Sequence, residues 1–175
     1  VLGVLSLTEL GIGSAIIFSL YKPLREGNKL LIIKLMYLFK KIYALIGMIV
    51  LFLGIGAYFL IKNQITGSAD KVAELTITYF LFLLGSVSAY YLTYKRSIFD
   101  ADQKAYKNQL NFLVFNSLSS IVQMLMLILF KDFLLYAGVT TIFNVTGNIV
   151  IARQVDREYP FLSTKLTSYK LDDIL

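Results

Sequence analysis

The chain has 175 residues, of which 57 % are hydrophobic and 16 % charged, and it carries a net charge of +6. A mean hydropathy of +0.70 excludes an ordinary soluble domain, whose surface has to be largely polar. The lack of cysteine and histidine excludes disulfides, thiolate chemistry and the common histidine metal sites, and no metal or cofactor is expected.

Five stretches of about twenty residues, 1–21, 42–61, 75–94, 109–130 and 133–152, contain a single charged side chain, Glu9. Each is long enough as a helix to cross a hydrocarbon core of roughly 30 Å. Barrel strands would alternate in and out over about ten residues instead of running continuously apolar. The expected fold is all-α, a polytopic transmembrane helix bundle with five membrane-spanning helices, followed by a linker over 153–175. The chain begins inside an apolar run without Met, and is expected to be a piece of a longer protein.

Fourteen of the seventeen basic residues fall in 22–41, 95–108 and the segment from Arg153 onward; only Lys62, Lys71 and Lys131 fall between the other spans. By the positive-inside rule the first loop, the third loop and the C-terminal tail should be cytoplasmic. Attraction to anionic membrane lipids accounts for the excess positive charge without a nucleic-acid partner.

The first span presents Gly11, Ser14 and Ala15 as a small-residue face for another helix, and Lys22-Pro23 is expected to end it. Glu9 lies twelve positions before Tyr21, roughly 18 Å along a helix, which puts it near mid-membrane. A carboxylate there reads either as a proton-binding or counter-charge group facing a wet cavity, or as a hydrogen-bonded lock between helices. The segment 29–41 places lysines among large apolar residues. It suits a helix lying in the interface or a basic extension of the second span, serving as a gate or, more simply, as an anchor.

In the second span, Gly47, Gly54 and Gly56 point to close packing, and 63–71 reads as a polar turn. The third ends in Tyr90, Tyr91 and Tyr94 followed by Lys95 and Arg96, the pattern of an interfacial anchor, and Gly85 and Ala89 mark a tight helix contact. The fourth carries Asn116, Ser119, Ser120 and Gln123 on one face, and the fifth Thr140, Thr141, Asn144, Gly147 and Asn148. Such stripes cannot face lipid without cost. They serve as hydrogen-bonded glue or line a cavity.

Lys95, Arg96 and the mixed-charge stretch 99–106 border the same membrane face, where cations either meet an anionic substrate or only set topology. Acid/base pairs, nucleophile sets, metal-ligand clusters and phosphate-cradling loops are not found. Gly11-Ile12-Gly13 is too short for a nucleotide fingerprint, and no enzyme activity is expected.

The runs LSLTELGIGSAIIFSLYKPL (5–24), KKIYALIG (40–47), SAYYLTYKRSIFDADQKAY (88–106) and GNIVIARQVDREYPFL (147–162) together resemble the Wzx-type polysaccharide flippases of the multidrug/oligosaccharidyl-lipid/polysaccharide exporter superfamily. The resemblance spans nearly the whole chain, and the ELGIG, LYKPL, ADQK and YP elements come in family order. It implies a transporter with two six-helix lobes around a central cavity, of which this chain is most of the N-terminal lobe. The implied activity is alternating-access movement of undecaprenyl-pyrophosphate-linked sugar units across the cytoplasmic membrane, with membrane lipids, a polysaccharide polymerase and glycosyltransferases as partners. Within the motifs it points to Glu9, Tyr94, Lys95, Arg96, Gln103 and Tyr106. A drug/cation antiporter that uses Glu9, and a scaffold whose polar stripes are only glue, are the rival readings.

Overall fold

The computed structural model of the protein describes residues 12–62 and 68–165. Every regular element among them is helical: α1 (Ile12–Arg25), α2 (Lys29–Ile61), α3 (Ala69–Ala101), α4 (Ala105–Phe130), α5 (Phe133–Glu158) and the short α6 (Pro160–Lys165). α2, α3, α4 and α5 are long and apolar enough to cross a membrane, and they contain the second to fifth expected spans. The first expected span is described only from Ile12 onward, within the 14 residues of α1.

The helices are longer than their apolar runs. α2 and α3 have 33 residues each, about 50 Å at 1.5 Å per residue, so both overshoot the hydrocarbon core. Of the two readings of 29–41, the structure takes the basic extension, since this segment is the unbroken start of α2. Ile32, Ile33, Met36 and Phe39 are buried there, while Lys40 and Lys41 stay exposed on the same turns.

Pro23 does not end α1 as expected; it sits in the last turn, where its missing N–H costs only one bond, to the carbonyl four residues back. Gly27 stops the helix. With φ +66° it lets the Asn28 N–H reach the Pro23 carbonyl at 2.9 Å and the Gly27 N–H reach Leu24 at 3.2 Å, the Schellman arrangement. Asn28 then caps α2, its Oδ1 accepting from the Leu31 N–H at 3.1 Å.

The α3–α4 corner repeats this device with a residue less suited to it. The Lys104 N–H bonds to the Phe99 carbonyl at 2.7 Å and the Gln103 N–H to Asp100 at 3.4 Å, and Gln103 takes the left-handed conformation at φ 58°. At the α4–α5 corner Asp132 caps α5 by accepting from the N–H groups of Leu134 and Leu135.

α3 is the centre of the bundle and contacts α1, α2, α4 and α5. Its buried line Leu83, Val87, Tyr90, Tyr94 and Ile98 advances by three or four residues, as a helix face must. Against α2 it runs antiparallel: the Tyr79 hydroxyl donates to the Gly54 carbonyl at 2.6 Å, and Gly47 lies opposite Tyr90. Against α5 it runs parallel, with Thr141 opposite Gly85 and Lys95 opposite Asp156.

This alternation gathers the basic segments at one end of the bundle. Lys29 sits over the Phe161 ring of α6 at 5.8 Å, and Lys104 pairs with Glu158 at the end of α5. Phe99, Leu20, Met36, Ile98, Ile151, Val155 and Leu162 are fully buried toward that end, so the tightest core and the charges share it.

The tyrosine anchor expected at the end of the third span is corrected by this packing. Tyr91 is 45 % exposed, but Tyr90 and Tyr94 are 8 % and 4 % exposed, because α3 runs on to Ala101 and keeps them on its core face. Of the expected close-packing glycines, Gly47 and Gly54 meet α3 and Gly56 meets nothing. Ser14 and Ala15 lie on an exposed face of α1.

A Cβ added at Gly54 would collide with the Leu83 side chain, so Gly54→Ala forces the α2–α3 contact open. It is expected to destabilise the bundle by about 1–3 kcal/mol. Thermal unfolding followed by circular dichroism in detergent measures this, and adding Leu83→Ala should return part of the loss.

Candidate functional site

The polar stripes of α4 and α5 divide into a closed half and an open half. In the closed half, the Gln123 Nε2 donates to Ser119 Oγ at 2.8 Å and to Thr140 Oγ1 at 2.9 Å, and Thr141 Oγ1 donates to the carbonyls of Ala137 and Leu81 at 3.0 and 3.3 Å. These groups pair across α3, α4 and α5 and act as glue. Ser120 is exposed and donates to the Asn116 carbonyl of its own helix at 2.9 Å.

The open half lies one to two turns closer to the basic end. A cavity of about 160 Å³ there is lined by Arg96, Asn111, Asn116, Asn144 and Asn148 together with Phe112, Phe115, Phe143 and Gly147. A second, of about 290 Å³, lies between α3 and α5 and shares Asn144 and Asn148, with Ser86 and Thr141 also in its wall. Gly147 shapes the first: a Cβ there would fall 3.0 Å from Phe115 Cγ, so the missing side chain lets α4 and α5 approach.

Arg96 is the ionisable group of this cavity among the described residues. One arm, Nη2, donates to Asn148 Oδ1 at 2.6 Å, and Asn148 is itself 8 % exposed. Its Nε is buried and has no partner. The Oδ1 of Asn111, on the facing helix, is likewise buried and without a partner. Thr78 Oγ1 and Asn108 Oδ1 are likewise buried and without a partner among the described residues, and a buried polar atom left unpaired costs about 1–3 kcal/mol.

Below the cavity lies a layer of ion pairs. Lys95 Nζ contacts both carboxylate oxygens of Asp156 at 2.7 and 2.6 Å. Lys104 pairs with Asp102 at 2.6 Å and Glu158 at 2.7 Å, and Lys107 also pairs with Glu158. The Tyr159 hydroxyl donates to Asp102 Oδ2 at 2.6 Å, and its ring lies 5.9 Å from Phe99. Asn108 Nδ2 joins the layer to the cavity by donating to the Arg96 carbonyl at 3.1 Å and Asp100 Oδ1 at 2.8 Å.

These contacts set the protonation of the layer. Burial raises the Asp102 carboxyl, but hydrogen bonds from Lys104 and Tyr159 and the charges of Lys104 and Lys107 outweigh it and leave it below its ordinary value. The hydrogen bonds to Asp102 and Glu158 hold the Lys104 ammonium well above its own. Burial, then the bond to Asp102, pushes the Tyr159 phenol up.

The residues singled out in the sequence are thus dispersed. Arg96, Asn116, Asn144 and Asn148 share one cavity; Ser120 and Gln123 lie further along α4. Tyr94 is sealed in the core, Lys95 is taken by Asp156, and Tyr106 is 64 % exposed. Gln103 lines a separate recess of about 470 Å³ at the basic end with Tyr21, Leu24, Arg25, Ala101 and Asp102. Glu9 lies outside the described residues. The sequence reading missed Asn111 and the Asp102, Glu158 and Tyr159 layer. Asn108 and Asn111 stand three apart on one face of α4, a signal that was there to find, whereas partners more than fifty residues apart give none.

Two outcomes follow from the basic-end geometry. The stabilisation from Asp102 is fully present above its ordinary carboxylate value and is lost as pH falls through the lower folded value; that from Lys104 is present below its ordinary value and is lost as pH rises through the raised one. Asp102→Asn should therefore flatten the acid limb of a thermal-stability profile and cost about 1 kcal/mol at neutral pH, between an exposed and a buried pair. Left-handed backbone costs a side-chain-bearing residue roughly 1–2 kcal/mol, so Gln103→Gly should raise the unfolding midpoint and Gln103→Val should lower it.

Compared with known proteins, the chain matches no family model, no curated protein and no solved structure.

Proposed function

We propose that the chain is part of a membrane transporter that moves undecaprenyl-pyrophosphate-linked oligosaccharide units across the cytoplasmic membrane by alternating access. In this reading it forms most of the N-terminal lobe of a two-lobe protein, with a first span over 1–21 and its basic end in the cytoplasm. Glycosyltransferases and a polysaccharide polymerase are its partners in this reading.

The observation that carries the reading is the open half of the polar seam. Amides and one guanidinium that could have been paired off, as Gln123 and Thr140 are, instead surround unfilled space within helices long enough to span the bilayer. A glycan headgroup cannot cross about 30 Å of hydrocarbon unaided, and a hydrated, amide-lined passage shelters it while the lipid tail stays in the membrane. The segments that carry the sequence resemblance also converge in space: ADQK and YP meet through Asp102 and Tyr159, and LYKPL borders the same end.

A scaffold whose polar stripes are only glue fits less well with Asn116 and Asn144 lining open space. A drug/cation antiporter fits poorly with a cavity whose ionisable lining residue, among the described residues, is Arg96, since its positive charge repels an organic cation.

Single cysteines at Asn116 and Asn144 test this in membrane vesicles. Both should react with a membrane-impermeant thiol reagent far faster than a cysteine at Leu113, which sits 62 % exposed on the apolar face of α4. Cysteines at Lys34 and Lys104 should label from one side only, and the same one. Uniform protection of Asn116 and Asn144, or labelling of Lys34 and Lys104 from opposite sides, overturns the proposal.

A further inference from the structure

We infer that the recess between α1 and the α3–α4 corner seats the phosphate of an anionic membrane phospholipid on Arg25, and that the α4 side of the basic end holds no such lipid. Neither side depends on the transport reading. The two differ in a way that loop composition does not show. Lys95, Lys104 and Lys107 are each paired with Asp156, Asp102 or Glu158. The segment 12–62, by contrast, carries six cations at 22–41 and one carboxylate, Glu26. That carboxylate contacts Lys22 at 3.9 Å with both side chains largely exposed, a pairing of little strength. Arg25 is exposed, and its guanidinium has no ion pair or hydrogen bond among the described residues.

The recess, of about 470 Å³, is lined by Arg25 together with Tyr21 and Gln103. Asp102 is also in its wall, but Asp102 Oδ2 already takes the Lys104 ammonium at 2.6 Å and the Tyr159 hydroxyl at 2.6 Å. Its charge is thus neutralised within the ionic layer, and Arg25 is the cation left for a ligand. A guanidinium pairs with phosphate oxygens through two parallel N–H bonds, and the Gln103 amide supplies a further donor.

Depth and apolar surface select a lipid over a soluble anion. Arg25 lies four residues past Tyr21, where the apolar span ends, or about 6 Å along the helix. That is the depth of the headgroup layer, roughly 5–8 Å thick on each side of the hydrocarbon. One turn back into the span, Phe18 is 70 % exposed and its ring meets Tyr21 at 5.6 Å. An acyl chain below the phosphate packs on these rings; a soluble anion gains nothing from them.

The chain has no tryptophan, so Phe18→Trp gives a single fluorescent reporter next to the recess. Leu113→Trp gives a second one at similar depth on the exposed face of α4. The full chain is placed in phosphatidylcholine vesicles, with brominated phosphatidylglycerol or brominated phosphatidylcholine as quencher. The Phe18→Trp reporter should favour phosphatidylglycerol about fivefold, the ~1 kcal/mol that one cation contributes near an anionic headgroup; the Leu113→Trp reporter should show no preference. Adding Arg25→Gln should abolish the preference at position 18 while quenching by brominated phosphatidylcholine stays the same, which shows α1 still seated in the bilayer. Inorganic phosphate at matched ionic strength should not displace the lipid. Equal preference at both reporters, none at position 18, a preference that survives Arg25→Gln, or displacement by phosphate overturns the inference.

Discussion

A polar group inside a hydrocarbon slab has to be paired or wetted, and this one constraint sorts the interior of the bundle. In one half of the polar seam, Gln123, Ser119, Thr140 and Thr141 satisfy one another or a backbone carbonyl. One to two turns further toward the basic end, Asn116 and Asn144 line open space and the Arg96 Nε has no partner. The same residue types therefore play opposite roles within a few turns, and what each side chain faces decides which.

α3 touches four other helices and its contacts fix how they pack. Its core line fixes α2 on one side through Gly54 and Tyr79, while Thr141 packs against Gly85 on the other. α4, by contrast, buries only Asn108 and Ser119 fully among its residues and turns a broad leucine and phenylalanine face outward. That surface would be a liability in water and is ordinary against acyl chains.

The charges at the basic end are bound to the fold as well as to topology. Asp102, Lys104, Lys107, Glu158 and Tyr159 join the α3–α4 corner to the α5–α6 corner, directly below the cavity. Gln103 is held in a left-handed conformation at the centre of this joint, a strain that persists because the surrounding ion pairs and the Phe99 carbonyl hold the corner in place. Cavity, strained corner and ionic layer thus form one continuous block, joined at the Arg96 wall by Asn108.

The sequence by itself determined the class of fold. Continuous apolar runs, their helical periodicity and the alternation of Lys and Arg are local or one-dimensional signals, and each survives into the structure as a long helix or as the gathering of Lys29, Lys104 and Arg157 segments at one end. Helix ends were less legible, since Pro23 looked decisive but Gly27 stops the chain through bonds that depend on a single backbone angle. Only the tertiary structure decided which polar residues are glue and which face open space, that Tyr94 is core, and that Lys95 is neutralised by a residue sixty-one positions away. Those outcomes depend on the distance and rotation between helices, which are set by packing at contacts such as Gly147 against Phe115, and no spacing within one helix encodes them.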